Sequence, residues 1–348
     1  MATISQSSLQ SPADANSEFV PTSRAVSVLE LIGNTPLLEI KRATRGLIPP
    51  GVRIFAKLEG FNPGGSVKDR AARKMLEVGI RDGKLKPGKV IIDSTSGNTG
   101  IALAMLGSAL GYPVELVMAE NVSRERKKII QAFGAKIHFS DPLESSDGAI
   151  IKCRQIIAAE PGRYFKPDQY NNEANALAHF ETTGPEIWHQ TGGQVTHFIA
   201  CIGTSGTVMG TGRYLKTQNP AVKVIGVEPD DAMHGLEGLK HIASSIVPAI
   251  FHEEQLDEVM FVGTEESYDM VYVLGQTEGV LVGQSSGAAL LAALRVAQTI
   301  REGTIVIIFP DFGDRYLSTN LWIGWREWRP EKLEQVMSKW NASTNATT

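Results

Sequence analysis

The chain has 348 residues and a formal net charge of −4 at pH 7, with 42% hydrophobic and 21% charged residues. This composition is typical of a soluble globular protein with two lobes, and the absence of a concentrated basic run argues against a nucleic-acid partner. Two cysteines are too few for a disulfide framework or a metal cluster, which favours a cytoplasmic protein without a bound metal. No apolar run is long enough for a membrane span.

Residues 1–24 are rich in Ser, Ala, Gln and Pro, and we expect them to form a disordered tail. They contain Asp14 and Glu18 but no apolar stretch of the kind that a secretory signal needs. The acidic residues also argue against a transit peptide, which is poor in acid and rich in Arg.

A lysine follows an unusual turn near residue 60. The apolar run at 54–59 predicts a strand and residues 71–76 predict a helix, with Asn62-Pro63-Gly64-Gly65-Ser66-Val67-Lys68 between them. Ser66 is a predicted N-cap, which places Lys68 in the first helical turn. The positive helix terminus and any desolvation favour a neutral amine, which is nucleophilic toward a carbonyl. For a lone lysine, solvation beside Asp69 is the ordinary interpretation, so the choice depends on the rest of the chain.

After Lys68, short apolar strands alternate with helices. The predicted strands are residues 90–93, 114–118, 135–139, 197–202, 222–227 and 304–309. The predicted helices are residues 101–110, 123–133, 146–159, 173–191, 207–217, 265–278 and 288–299. Residues 230–262 have no clear periodicity. This alternation predicts an α/β protein with parallel sheets covered on both faces.

Three loops stand out because each is expected to join a strand to a helix, where ligands bind in parallel sheets. The loop at 94–100, which contains Ser94-Thr95-Ser96-Gly97-Asn98-Thr99-Gly100, suits a carboxylate, and Gly203-Thr204-Ser205-Gly206-Thr207 suits a phosphate. The third loop is Gly283-Gln284-Ser285-Ser286-Gly287, after an expected strand at 279–282. Each loop alone is most simply a tight turn. Together with the Lys68 turn they indicate an anionic small molecule.

Other sites fit the sequence less well. The residues around Ser285 match the Gly-x-Ser-x-Gly elbow of serine hydrolases, but all seven histidines precede Ser285, whereas that fold needs one after it. The Lys68 turn lacks the Gly-Lys-Ser/Thr order of a nucleotide-binding loop, and none of these loops contains Gly-x-Gly-x-x-Gly. His252 has no second histidine four residues later, so a zinc helix is not supported.

A nucleophilic lysine, a phosphate loop and a carboxylate loop together fit one cofactor. Pyridoxal 5′-phosphate needs a lysine for its aldehyde, an anion site for its phosphate and a partner for its ring nitrogen. Its amino-acid substrate needs a carboxylate site.

These same residues resemble a known family. Over residues 28–320 the chain resembles the fold-type II pyridoxal-phosphate enzymes, and within them the cysteine synthases (O-acetylserine sulfhydrylases), in particular the B isozyme. The resemblance rests on the three loops, on the Lys68 turn, and on three further segments: Gly33-Asn34-Thr35-Pro36-Leu37, Thr182-Thr183-Gly184-Pro185-Glu186-Ile187-Trp188 and Gly313-Asp314-Arg315-Tyr316-Leu317-Ser318-Thr319.

The resemblance implies a role for each site residue. Lys68 would form the internal Schiff base and act as general base at the α-carbon. Asn98 would hydrogen-bond the 3′-oxygen of the cofactor ring, and Ser285 would face the ring nitrogen. The remaining residues would bind the cofactor phosphate (Gly203, Thr204, Ser205, Gly206 and Thr207) or the substrate carboxylate (Thr95, Ser96, Thr99 and Gln169).

The resemblance also implies a fold and a reaction. The fold would be two-lobed and like the β subunit of tryptophan synthase, with residues 25–60 plus 173–325 in the larger lobe, 61–172 in the smaller mobile lobe and 326–348 as an extension. The reaction would be β-replacement, in which O-acetyl-L-serine and sulfide give L-cysteine through an aminoacrylate, with thiosulfate as a second donor giving S-sulfocysteine. Family members are usually homodimers.

Three alternatives stay open on the sequence alone. Cystathionine β-synthases share these loops and differ mainly in accepting homocysteine. The length of the chain and the lack of Cys or His in its N-terminal tail make a regulatory domain and a haem site less expected here. Relatives that use O-phosphoserine carry an arginine after the Glu-Pro pair, where this chain has Asp230. A non-catalytic homologue is the third alternative, although such a protein would be expected to lose the lysine or a loop.

Overall fold

The computed structural model describes residues 25–95, 97–120, 122–141 and 145–323. The predicted tail at 1–24, the predicted extension at 326–348 and the predicted site residue Ser96 lie outside these ranges. None of the described helices is both long and apolar enough to cross a membrane.

Ten strands and nine α-helices form the described part of the chain. The strands are β1 (Leu37–Glu39), β2 (Gly51–Leu58), β3 (Val90–Ser94), β4 (Val114–Ala119), β5 (Lys136–Ser140), β6 (Tyr164–Phe165), β7 (His197–Cys201), β8 (Lys223–Pro229), β9 (Glu258–Val262) and β10 (Glu302–Phe309). The helices are α1 (Lys68–Arg81), α2 (Asn98–Leu110), α3 (Arg124–Ala132), α4 (Ser145–Ala159), α5 (Ala174–Ala178), α6 (Gly184–Gln190), α7 (Gly206–Gln218), α8 (Thr264–Val273) and α9 (Gln284–Thr299).

The strands form two separate sheets, which confirms the predicted α/β class. One sheet has six strands in the order β1-β2-β10-β7-β8-β9, and the other has four in the order β5-β4-β3-β6. Every strand pair is parallel except β1 with β2. The central strands are mostly apolar because helices cover both faces: β4 is buried throughout and β10 from its third residue on. The bounds of the two predicted lobes stay a prediction.

The structure corrects several boundaries. Helices α2 and α9 begin three and four residues earlier than predicted, at Asn98 and Gln284. The ends of the loops at 94–100 and 283–287 therefore belong to the first turns of these helices. The expected strand at 279–282 is wrong: Val282 makes only an isolated bridge to Phe312. After Lys68, two strands were not predicted: β6 has only two residues, and β9 lies in the stretch 230–262, whose sequence has no clear periodicity. The predicted helices at 173–191 and 265–278 contain π-helical segments at His179–Thr183 and Leu274–Glu278.

A buried ionic network fixes the elements around the Lys68 turn. Arg70 on α1 forms a two-pronged pair with Glu59, at 2.6 Å from Nε and 2.9 Å from Nη2. Its guanidinium also donates to both carboxylate oxygens of Glu186 on α6, at 2.6 and 2.7 Å. Lys57 on β2 adds a second cation, 2.7 Å from Glu186. The network therefore ties β2, α1 and α6 together through charged groups that are almost fully buried.

The network reaches two of the motifs noted in the sequence. The Thr35 hydroxyl donates to Glu59 at 2.7 Å, and Asn62 donates to Glu59 and accepts from the N–H of Gly33. Burial by itself raises the pKa of Glu59, but the neighbouring Arg70 outweighs burial and holds that pKa below its usual value. The carboxylate is therefore ionised, and the turn before Lys68 is anchored to it through Asn62.

Replacing Arg70 tests how much the fold depends on this network. We expect Arg70→Met to lower the free energy of unfolding by about 3–5 kcal/mol, because it leaves the Glu59 carboxylate buried without its partner. The measurement is equilibrium unfolding in urea.

Arg81→Met is the matched control, since Arg81 lies on the same helix in an exposed pair with Asp82. We expect this control to leave the stability nearly unchanged. Equal unfolding midpoints for the two variants would contradict the assigned role of the network.

Candidate active site

Lys68 is the first residue of α1 and lines a cavity of about 600 Å³. The predicted N-cap is wrong by one residue, because Val67 is the N-cap of α1 and makes no side-chain cap hydrogen bond. The Ser66 hydroxyl nevertheless accepts a hydrogen bond from the Lys68 N–H at 3.2 Å. Burial lowers the pKa of Lys68, and Asp311 opposes this shift in part. Within the described chain, Lys68 Nζ makes no hydrogen bond or ion pair, so the amine is held poorly solvated and ready to react.

The predicted carboxylate site is assembled on the same cavity. Thr95, Thr99 and Gln169 all line it. The Thr99 hydroxyl donates to Gln169 Oε1 at 2.7 Å, although the two residues are 70 positions apart in the sequence. Because α2 begins at Asn98, backbone N–H groups of its first turn lack helical partners and can bind an anion.

The loop at 203–207 connects β7 to α7 in a strained turn. Ser205 has a φ of 69°, in the left-handed region that is uncommon for a residue other than glycine. Its hydroxyl is buried without a hydrogen-bond partner in the described structure, whereas Thr204 lines the cavity and accepts from Asn175 at 3.0 Å. A Cβ at Gly206 would lie 2.1 Å from Asn175 Oδ1, so only glycine fits there.

Ser285 lies in the first turn of α9 and is 8% exposed. The residue before it, Gln284, lines the cavity. The Ser285 carbonyl accepts a hydrogen bond from the Cys201 thiol at 3.2 Å, which joins the start of α9 to the end of β7. Ser285 and the phosphate-type loop are thus neighbours in space.

Asp311 and Arg315 connect these parts, and neither was assigned a role from the sequence. Asn98 donates to Asp311 Oδ2 and accepts from Arg315 Nη1, both at 2.6 Å. Arg315 also donates to the carbonyl of Gly64 in the Lys68 turn at 2.6 Å. Burial raises the pKa of Asp311. The segment 313–319 was noted as a motif, but its sequence did not indicate which atoms it would hold.

Arg126 and Glu237 face each other in the cavity. Arg126 Nη1 lies 2.6 Å from Glu237 Oε2, and its guanidinium lies 4.9 Å from the centre of the Tyr316 ring. Arg126 is on α3, between two strands of the four-stranded sheet, and Glu237 is in the loop after β8 of the six-stranded sheet. The pair therefore connects the elements around one sheet to those around the other. Glu237 falls in the region without periodicity, which is why the sequence did not reveal it.

Hydrolytic and metal-dependent alternatives find no support in the described residues. Burial lowers the pKa of His179 to about 3, so it is a neutral core residue whose Nδ1 lies 2.9 Å from the Thr183 hydroxyl. No group of three or more His, Cys, Asp or Glu in the described ranges is placed to hold a metal ion.

The site residues fit pyridoxal phosphate in size and chemistry. The cavity holds a lysine amine, the start of a glycine-containing loop at a helix terminus and an amide, Asn98. The buried Ser205 hydroxyl lacks an internal partner, as expected of a group that binds a phosphate. A Cβ at Gly203 would lie 2.3 Å from the Gly238 carbonyl oxygen, so the loop packs against Gly238 only with glycine at position 203.

Comparison with known proteins identifies the family. A family model described as "Pyridoxal-phosphate dependent enzyme" matches residues 28–311. The chain belongs to this family. It is 56% identical to a cysteine synthase of Aquifex aeolicus over 299 residues, which are 85% of this chain and 91% of that protein. It is 40% identical to cysteine synthase B of Escherichia coli over 297 residues, which are 85% and 96% of the two chains.

A solved structure gives the same result for the fold. The O-acetylserine sulfhydrylase isoform 3 of Entamoeba histolytica superposes with a TM-score of 0.85 at 39% identity, covering 92% of this chain and 97% of the other. The fold-type II architecture is therefore confirmed, as are an enzymatic role and the dependence on pyridoxal phosphate.

Proposed function

We propose that this enzyme makes L-cysteine from O-acetyl-L-serine and sulfide by β-replacement. The observation that carries the proposal is Lys68, whose pKa is lowered by burial and whose amine lines one cavity with a carboxylate-type loop. The similarity to cysteine synthases and to an O-acetylserine sulfhydrylase supports the choice of substrates. Thiosulfate as a second sulfur donor stays a prediction.

When bound, pyridoxal phosphate supplies an aldehyde that captures the substrate amine and an electron sink for the α-carbon. The residues of this chain do the rest. In our proposal Thr95, Thr99 and Gln169 hold the substrate carboxylate, with Ser96 outside the described residues. Lys68, whose pKa is lowered by burial, takes the α-proton as the β-acetoxy group leaves as acetate, and it returns a proton after sulfide has added.

The cofactor contacts belong to the same proposal. Asn98 would donate to the ring oxygen and the loop at 203–207 would bind the phosphate. Ser285 would face the ring nitrogen. A hydroxyl, unlike a carboxylate, does not force that nitrogen to carry a proton. The weaker electron sink favours loss of the β-substituent over transamination.

The reaction is tested directly on the holoenzyme. We expect O-acetyl-L-serine and sulfide to give L-cysteine with the parallel-line initial-rate pattern of ping-pong kinetics, because acetate leaves before sulfide reacts. Lys68→Ala should lower kcat by at least about a thousandfold and prevent borohydride from fixing the cofactor to the protein. Product formation and the mass of the borohydride-treated chain are the measurements.

Lys74→Ala is the matched control, since Lys74 lies on the same helix and pairs with Glu181 at the surface. Full turnover in Lys68→Ala would refute the assignment of the lysine. Activity with homocysteine but none with sulfide would favour the cystathionine β-synthase alternative, and turnover with O-phosphoserine alone would favour the phosphoserine alternative.

The phosphate loop gives a separate prediction. Ser205→Ala should weaken pyridoxal phosphate binding by about 10- to 100-fold, the range for losing one hydrogen bond to a charged group. The apoenzyme should keep its stability because the Ser205 hydroxyl has no internal partner in the described structure. Titration of apoenzyme followed by absorbance measures the affinity.

Thr211→Val is the control for this effect. Thr211 also has a buried hydroxyl without a described partner, but it lies inside α7, whereas Ser205 is the N-cap residue in the loop at 203–207. An equal loss of cofactor affinity in both variants would mean that Ser205 does not contact the phosphate.

We also propose that the enzyme is a homodimer in the cytoplasm, as the resemblance implies. Exposed apolar side chains are available for subunit contact, among them Ile246 and Phe261 at 71% and 52% exposure. Light scattering of the purified protein should give twice the 37.7 kDa of one chain. The mass of a single chain at micromolar concentration would rule the dimer out.

A further inference from the structure

The cavity has an unusual charge arrangement, and the inference drawn from it rests on the proposed function. Among the described residues that line the cavity, Lys68, Arg126 and Glu237 carry side chains that can be charged at neutral pH. His234 also lines it, but burial lowers the pKa of that imidazole, so it is neutral at pH 7. Since Lys68 is taken up by the cofactor chemistry, Arg126 and Glu237 determine the charge that an incoming nucleophile meets.

Arg126 could bind an anion, but its guanidinium is already paired with the carboxylate of Glu237. The residue is 6% exposed, and its guanidinium is fixed against the Tyr316 ring at 4.9 Å. Glu237 is the only carboxylate within ion-pair distance of it in the described structure, at 2.6 Å. The buried Arg126 Nε has no described hydrogen-bond partner, so the guanidinium keeps unused donor capacity.

Glu237 is held at this place by its backbone. Its N–H donates to Gln284 Oε1 at 2.8 Å, and the neighbouring Gly235 carbonyl accepts from the Tyr268 hydroxyl at 2.8 Å. Its side chain is 40% exposed, so the carboxylate lies between solvent and the buried Arg126. An anion that approaches Arg126 from outside must therefore displace Glu237 or pass close to it.

We propose that Glu237 determines the charge selectivity of the second half-reaction. By neutralising Arg126 it favours hydrosulfide and small thiols over sulfur nucleophiles that carry a further negative charge, because like charges at short range are repelled and the attractive cation is already paired. Thiosulfate, the predicted second donor, should therefore react more slowly than sulfide. Without Glu237, the Arg126 guanidinium would be free to bind an anion in the cavity that Lys68 also lines.

Two thiols of similar size test the proposal on the holoenzyme with O-acetyl-L-serine as donor. 2-Mercaptoethanol is uncharged, and 2-mercaptoethanesulfonate carries a permanent negative charge. We expect Glu237→Gln to raise the ratio of kcat/KM for the sulfonate to kcat/KM for the alcohol by about tenfold. A merely structural effect would change both rates together and leave the ratio unaltered.

Two further variants complete the comparison. Glu265→Gln removes an exposed carboxylate on α8 that does not line the cavity, and it should leave the ratio at the wild-type value. Adding Arg126→Gln to Glu237→Gln should abolish the gain, because the cation that attracts the sulfonate is then lost. An unchanged ratio in Glu237→Gln, or a gain that persists without Arg126, would overturn the proposal.

A second readout does not depend on turnover. Sodium sulfate should raise the melting temperature of the Glu237→Gln holoenzyme more than that of wild type, measured against sodium chloride at equal ionic strength. Equal shifts would count against an open anion site. If wild type fails to convert O-acetyl-L-serine and sulfide, the proposed function falls, while the sulfate measurement still decides the role of Glu237.

Discussion

Arg70 holds two carboxylates in a place that water hardly reaches, and the position of the reactive lysine depends on it. Its partner Glu59 follows β2, and its second partner Glu186 lies on α6, while Lys68 precedes it by two residues on the same helix. A helix start that is fixed by two charge pairs cannot rotate without breaking both, and a buried charge without its partner is costly. Burying these charges costs free energy, but the two ion pairs fix the orientation of the first turn of α1. The Lys68 amine is thereby held in one position.

The two sheets each deliver part of the site at the carboxyl ends of their strands. The four-stranded sheet ends β3 at Ser94 and leads into α2, which supplies Asn98 and Thr99. The six-stranded sheet ends β7 at Cys201 and leads into α7, and the neighbouring α9 begins at Gln284. Helix termini from both sheets thus converge on one cavity, where unpaired N–H groups and partial positive charge suit an anionic cofactor and an amino-acid carboxylate.

Local chemistry in the sequence predicted much of this. Pattern and spacing were enough to predict the helix start at Lys68, the glycine-containing loop before α7 and the apolar central strands, because these features are determined by neighbours in sequence. Asp311, Arg126 and Glu237 were missed because their roles arise from contacts between distant segments. The strand expected at 279–282 failed for a related reason: it has strand-like composition, but tertiary packing gives Val282 only one bridging partner, Phe312. Helices α2 and α9 began earlier than expected because small polar residues at their starts face a cavity rather than solvent.

The contacts that close the Lys68 turn come from residues just after β10, and this affects folding during synthesis. The Lys68 turn is closed by groups from far along the sequence: Pro310 accepts from the Val67 N–H, and Arg315 contacts Gly64 across 251 residues. During synthesis a ribosome must therefore release nearly the whole family domain before the lysine reaches its final setting. Contacts of such long range also slow folding, because loop closure costs entropy before it is rewarded. An incomplete chain that ends before Pro310 lacks both of these contacts, so the turn that positions Lys68 would not be closed in a prematurely terminated product.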